Sequence, residues 1–224
     1  MDYYELISEA IISGETGKVV KYIKEAVSLK YPSEHILKYG LIKGVNVISN
    51  KFKYEDVLIP EVLMSTRALH AGLRALQPYI QSKDKKKRVK IVMGTVYGDL
   101  HDIGKNIVKI LLTTLNVEII DLGVDVSMEN FVEAVEREKP DLLMMSSLLT
   151  TTMNEMKLVI KELEKRGLRE KVIIFIGGGP IREAFRKQIG ADYYIEEAIE
   201  LRDYIKNNLD KFSKNQKEKN KKEK

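Results

Sequence analysis

From Val89 onward, five short apolar runs alternate with stretches of helical periodicity, and few folds accept that pattern. The runs lie at about 89–96, 117–122, 141–147, 171–177 and 192–195. Val172-Ile-Ile-Phe-Ile176 shows their character: continuous apolar residues, as expected of strands covered on both faces. Helical patterns fall between them at about 104–115, 127–138, 152–166 and 181–189, with a last one at about 197–210. The alternation predicts a parallel sheet sandwiched between helices.

Residues 3–76 follow a different rule. Leu6, Ala10, Ile11, Val19, Val20, Ile23 and Val27 recur at helical spacing, and Gly14 separates a first helix from a second. A third helix begins at Pro32-Ser33-Glu34 and runs toward Val47 and Phe52. Pro60 opens a fourth, a position where proline is well tolerated. The expected fold is therefore α plus α/β. An N-terminal four-helix bundle (1–80) precedes a flavodoxin- or Rossmann-like domain with a five-stranded parallel sheet (89–210). The polar, charged stretch 81–88 reads as a linker and 211–224 as a disordered basic tail. That tail holds seven lysines and two glutamates, which accounts for the whole formal charge of +5. A basic end of this kind is a weak argument for nucleic acid, and none is expected as a partner.

No apolar run approaches the roughly 20 residues that span a bilayer. The N-terminal segment lacks the basic-then-apolar pattern of a secretory signal, so neither membrane nor export is expected. The chain has no cysteine, which excludes disulfides, thiolate metal sites and cysteine nucleophiles and fits a cytoplasmic setting.

In open parallel sheets, ligands bind beyond the carboxyl ends of the strands at a topological switch point. With a strand order of 2-1-3-4-5, that point lies between the first and third strands. Three unusual loops would meet at that edge. The first carries Asp99, His101 and Gly104, with Gly104 closing the turn; a carboxylate beside an imidazole suits a metal ligand with a supporting partner. The second has five hydroxyls in seven residues: Ser146, Ser147, Thr150, Thr151 and Thr152. The third is Gly177-Gly178-Gly179-Pro180. Hydroxyls offer donors and acceptors without charge, and glycines let a ligand approach the backbone. Together they predict a slot for a large, polar, mostly uncharged group. A glycine run at a helix start also suits phosphate, but the Lys-Ser or Lys-Thr pair of a P-loop is absent here. The hydroxyl run also fits a simple helix N-terminus.

Asp99-x-His101-x-x-Gly104, Ser146-x-Leu148 and Gly177-Gly178, in that order, resemble the three-part signature of cobalamin-binding domains. The chain is similar to the small corrinoid proteins of methyltransferase systems and to the cobalamin-binding module of methionine synthase. The resemblance extends to the helical half, where Gly44 to Phe52 followed by Val57 to Val62 is similar to the family's cap segment. Gly190-Ala-Asp-Tyr-Tyr194 and Ala198 resemble the last strand and turn.

The resemblance implies the following roles. The cofactor is cobalamin, as methylcobalamin or another corrinoid, and its cobalt takes His101 as lower axial ligand. Asp99 holds the other imidazole nitrogen. Asp102, Ile103 and Gly104 lie against the lower corrin face, and Thr152 extends the Asp–His relay. Ser146, Leu148 and Thr150 line a pocket for the nucleotide tail, with Gly177 and Gly178 along it. Phe52, Ile59 and Val62 cover the upper face. Val45, Ser49 and Glu55 depart from the family's cap pattern, and Tyr193 puts a large ring near the tail.

The function implied is a methyl carrier between a donor-specific methyltransferase and an acceptor methyltransferase, served by a reductive activation protein, the carrier being monomer or homodimer. It is not itself expected to be a catalyst. A cobalamin-responsive sensor and the cobalamin subunit of a mutase are the rival readings. By periodicity alone Phe52, Ile59 and Val62 are ordinary core, and His35 and His70 are structural histidines.

Overall fold

The computed structural model describes the whole chain except residues 1, 54–56, 81–88, 114, 116, 223 and 224, with the side chains of 49, 52, 53, 59 and 213–222 also left undescribed. It divides into two compact units, Met1–Gln81 and Ser82–Lys224.

The N-terminal unit is helical. It comprises α1 (Tyr3–Ile12), α2 (Thr16–Ser28), α3 (Ser33–His35), a π-helical segment Ile36–Ile42, α4 (Lys43–Lys53) and α5 (Ile59–Ile80). Asp2 caps α1 by accepting the Tyr4 N–H at 2.9 Å. Ile7, Ile11, Val19, Ile23, Leu37, Leu41, Leu69 and Leu76 are fully buried and form its core. The π-helical stretch was not expected from the apolar spacing. It accompanies a close approach of backbones: a Cβ at Gly40 would stand 2.9 Å from Ile7, and one at Gly44 would stand 2.7 Å from Ile11. α5 runs to Ile80, past the end expected at 76, with Pro78 inside its last turn. The buried Ile80 keeps that turn helical. His35 packs edge-on against Tyr4 and Tyr39, in keeping with a structural role.

The second unit holds β1 (Val89–Thr95), α6 (Ile103–Leu112), β2 (Val117–Asp121), α7 (Met128–Glu138), β3 (Leu142–Ser146), α8 (Met153–Lys165), β4 (Ile173–Gly177), α9 (Glu183–Ile189), β5 (Tyr193–Tyr194) and α10 (Ala198–Lys222). All pairings are parallel, in the order β2-β1-β3-β4-β5. β4 starts at Ile173 because Arg169–Lys171 closes into a 3₁₀ turn. Alternation divides the strand residues between two cores. Val92, Leu143, Met145, Ile174 and Ile176 pack with Phe131, Val132, Met156, Val159, Ile160 and Ile189 of α7, α8 and α9. Ile91, Met93, Leu142, Met144 and Phe175 pack with Leu112 of α6 and Leu201, Ile205 and Phe212 of α10.

One expectation changes here. The helix expected to end at 210 continues through Lys222, and residue 212 does not belong to a disordered tail. Phe212 is fully buried, its ring edge-on to Phe175 at 6.1 Å, and this contact holds the helix past 210. Tyr193, expected near the cofactor's tail, lies on β5 and is half-buried. Its register partner is Phe175, on which it stacks at 4.7 Å, and both belong to the α6–α10 core.

Candidate functional site

The parallel register aligns Thr95, Ser146 and Gly177 in one row at the carboxyl ends of β1, β3 and β4. The loops that follow these strands all leave from that edge, so the three segments singled out in the sequence share it.

Asp99 is the centre of the first loop. Its side chain is fully buried, and both oxygens accept hydrogen bonds. Oδ1 accepts from the His101 backbone N–H at 3.0 Å and lies 2.7 Å from His101 Nδ1. Oδ2 accepts from the backbone N–H groups of Leu148 (2.7 Å) and Leu149 (3.2 Å), and lies 3.1 Å from the Thr152 hydroxyl. Burial alone pushes this carboxyl up. The bonds from the His101 N–H, the Leu148 N–H, the His101 imidazole and the Leu149 N–H outweigh it and hold the group at about 2.

A carboxylate at Oδ1 fixes the tautomer of His101. Nδ1 carries the proton and donates it, which leaves the lone pair on Nε2. The His101 side chain is 51% exposed, and no described residue bonds its Nε2. The main chain of His101 is held as well, since the Thr95 hydroxyl donates to the His101 carbonyl at 3.0 Å. Among the described residues no cluster of three or more His, Asp or Glu could hold an ion by itself. The site therefore offers a metal one imidazole, which suits a metal whose other ligands come from a cofactor.

The surroundings fit a flat macrocycle at that nitrogen. Gly104 is the second residue of α6, not the closure of the turn; the left-handed residue of the loop is Gly98, at φ 76°. Nothing lies within 4 Å of where a Gly104 Cβ would stand, so neither backbone conformation nor a protein neighbour requires glycine there. Gly104 is exposed three residues after His101, so a bound group could lie directly on its backbone. Tyr97, Leu100, Leu148 and Leu149 expose apolar side chains on the two loops. Asp102 precedes α6 and accepts from Asn106 Nδ2 at 2.8 Å; Ile103 begins the helix half-buried.

The other expected residues divide. Ser146 is half-buried at the end of β3 and Thr150 is exposed beyond it. A Cβ at Gly177 would meet nothing nearer than the Ile195 carbonyl oxygen at 3.8 Å, so this glycine leaves room at the row's end. Gly178 has a different reason to be glycine. Its φ is 130°, and a Cβ there would lie 1.8 Å from the Ser147 carbonyl oxygen, so it serves the close packing of two loops. Val62 is half-buried on α5 in the N-terminal unit. Phe52 and Ile59 lie outside the residues whose side chains are described.

Several contributors had no sequence signal of their own. Thr95 and the backbone of Leu149 are recruited by main-chain geometry. Lys105 is buried in α6 and donates to Asp121 at 2.7 and 2.9 Å, with Lys109 adding 2.9 Å from the same helix. Burial raises the Asp121 carboxyl, and the two lysines with the Gly123 N–H outweigh it, so its pKa is lowered. This cluster ties the first turns of α6, and hence the His101 loop, to the end of β2. The spacing Lys105-x-x-x-Lys109 could have suggested a shared acceptor, but only the register identifies Asp121.

The chain is similar to known proteins over most of its length. Residues 89–202 match the B12 binding domain family, and residues 3–77 match a second family of the same description. A corrinoid protein of Desulfitobacterium hafniense (strain Y51) is 36% identical over 211 residues, covering 92% of this chain and 98% of that one. A dimethylamine corrinoid protein of Methanosarcina barkeri is 38% identical over 195 residues, covering 87% and 91%. Among solved structures, the monomethylamine corrinoid protein of Methanosarcina barkeri superposes with a TM-score of 0.80 at 31% identity, over 88% of this chain and 94% of that one. The methanol:cobalamin methyltransferase complex of the same organism gives 0.52 at 30% identity, over 92% and 79%.

Proposed function

The chain belongs to the B12-binding corrinoid proteins of methyltransferase systems, and from that premise we propose that it is a methyl carrier. It takes a methyl group on one methyltransferase and delivers it on another, working in the cytoplasm. One observation carries the reading: a fully buried Asp99 lies 2.7 Å from His101 Nδ1, and the imidazole is half exposed with no described residue bonded to its Nε2.

When bound, the corrinoid supplies a cobalt that alternately accepts and releases a methyl group. His101 would hold the cobalt, with Asp99 keeping the imidazole proton on Nδ1. Asp102, Ile103 and Gly104 would lie against the ring, and Ser146, Leu148 and Thr150, with Gly177, would hold the nucleotide tail. Phe52, Ile59 and Val62, the residues expected to cover the upper face, belong to the helical unit. The described site residues include no acid or base aimed at a methyl donor, so donor choice rests with partner methyltransferases, and a reductive activation protein returns oxidised cobalt to the cycle. Methylated amines are the donors to test first, because relatives carry methylamine names.

The test is to load the protein with hydroxocobalamin and reduce it to cobalt(II). Electron resonance of the wild type should show splitting from one protein nitrogen, and His101→Ala should abolish it. An unchanged spectrum in the variant overturns the ligand assignment. Methyl uptake is then scored with methylamine methyltransferases, and uptake from none of them overturns that donor class.

A further inference from the structure

Behind Asp99 lies a second hydroxyl that the metal-binding reading does not use. Ser147 is fully buried, and its Oγ stands 2.9 Å from Thr152 Oγ1 and 3.1 Å from the Leu149 carbonyl. Thr152 Oγ1 in turn stands 3.1 Å from Asp99 Oδ2 and 3.1 Å from the same carbonyl. Each hydroxyl has one proton to give.

Electrostatics decides where the two protons go. Asp99 already receives four N–H donors, two on each oxygen, and is an acceptor only. A Thr152 proton turned toward Leu149 would leave a hydroxyl lone pair facing a carboxylate oxygen in a buried site, which is costly. Thr152 therefore donates to Asp99. The 2.9 Å contact between the two hydroxyl oxygens then needs the proton of Ser147. The resulting chain runs Ser147 to Thr152 to Asp99, and the Leu149 carbonyl keeps the Thr152 backbone N–H at 3.2 Å.

We propose that Ser147 is a positioning residue for the axial base: by donating to the Thr152 hydroxyl it strengthens that hydroxyl as a donor to Asp99 and thereby moderates the pull of Asp99 on the His101 Nδ1 proton. Hydrogen bonds in a chain polarise one another, so a Thr152 oxygen that accepts from Ser147 is a stronger donor. A carboxylate that receives a stronger donor on Oδ2 is a weaker acceptor on Oδ1. Removing the Ser147 hydroxyl leaves Thr152 a weaker donor to Asp99, which tightens the Asp99–His101 bond and makes the imidazole a stronger ligand.

The inference rests on His101 as the cobalt ligand, and its test has one arm that does not. In the cofactor-free protein labelled with ¹⁵N-histidine, the His101 Nδ1 proton resonance is expected to move downfield in Ser147→Ala and in Thr152→Ala. The double variant is expected to match Thr152→Ala alone, because Ser147 acts only through Thr152. Ser147→Cys preserves the packing with a weak donor and is expected to behave as Ser147→Ala, which guards against a folding artefact. In the whole protein loaded with hydroxocobalamin, the cobalt(II)/cobalt(I) midpoint is expected to shift to lower potential in the same variants. A resonance unmoved by Ser147→Ala and Ser147→Cys, or a double variant that is additive, overturns the proposal. Absence of nitrogen splitting in the wild-type cobalt(II) spectrum overturns the axial-ligand reading instead, and the cofactor-free arm still decides the role of Ser147.

Discussion

At the scale of the residue, the site is organised by a carboxylate rather than by the imidazole it supports. Asp99 is held at about 2, well below its ordinary 3.8. The sign follows from linkage: a depressed carboxyl stabilises the fold above its unfolded value and loses that contribution as pH falls through the folded one. The shift corresponds to about 2 kcal/mol, present above pH ~4 and roughly half gone by pH 3. Asp99→Asn removes this component, so urea denaturation at pH 6 and pH 3 should show a smaller acid sensitivity in the variant than in the wild type. An equal drop in both would show that Asp99 does not carry it. Two glycines of the motif part company under the same physics. Gly178→Ala places a methyl group into the Ser147 carbonyl at a φ of 130°, with an expected loss of about 2–4 kcal/mol in urea denaturation. Gly104→Ala meets nothing, gains roughly 0.5–1 kcal/mol of helix propensity, and yet should weaken hydroxocobalamin binding at least tenfold by filling the open space.

At the scale of the element, the apolar runs from Val89 onward were sufficient to read the parallel sheet, because strands covered on both faces leave no polar alternation to confuse with anything else. The strand order was assumed rather than read from those runs; the register shows it, and it brings the Asp99 carboxylate to the loop of Leu148. The helix ends were less legible. Phe212 sits in a lysine-rich stretch and looks like a solvated residue until the Phe175–Tyr193 stack beneath it is seen. Phe212→Ala should cost about 3 kcal/mol in the second unit by thermal or urea denaturation, whereas ending the chain after residue 212 should cost little. Ser147 was likewise visible only as one hydroxyl among five, because a run of hydroxyls does not reveal which of them turns inward.

At the scale of the whole molecule, each unit has its own core, so each is expected to fold by itself. Residues 82–224 made alone should unfold cooperatively and bind hydroxocobalamin through His101. If the helical unit is the cover, the bound methyl group should be lost to light or water faster in this piece than in the full chain. Equal lifetimes, measured by absorption, would remove the cover role. Among the described residues no helix is long and apolar enough to cross a membrane.

The bonds to Asp99 also bear on how such a site can drift over generations. Three of its donors are backbone N–H groups, those of His101, Leu148 and Leu149. A main-chain donor survives almost any substitution of the residue that bears it, proline excepted. The side chain at 149 can therefore vary to suit a different bound group or a different protein partner without loosening the hold on Asp99. Mutational freedom is thus placed on the loop that meets the outside, and constraint on the one aspartate that meets the histidine.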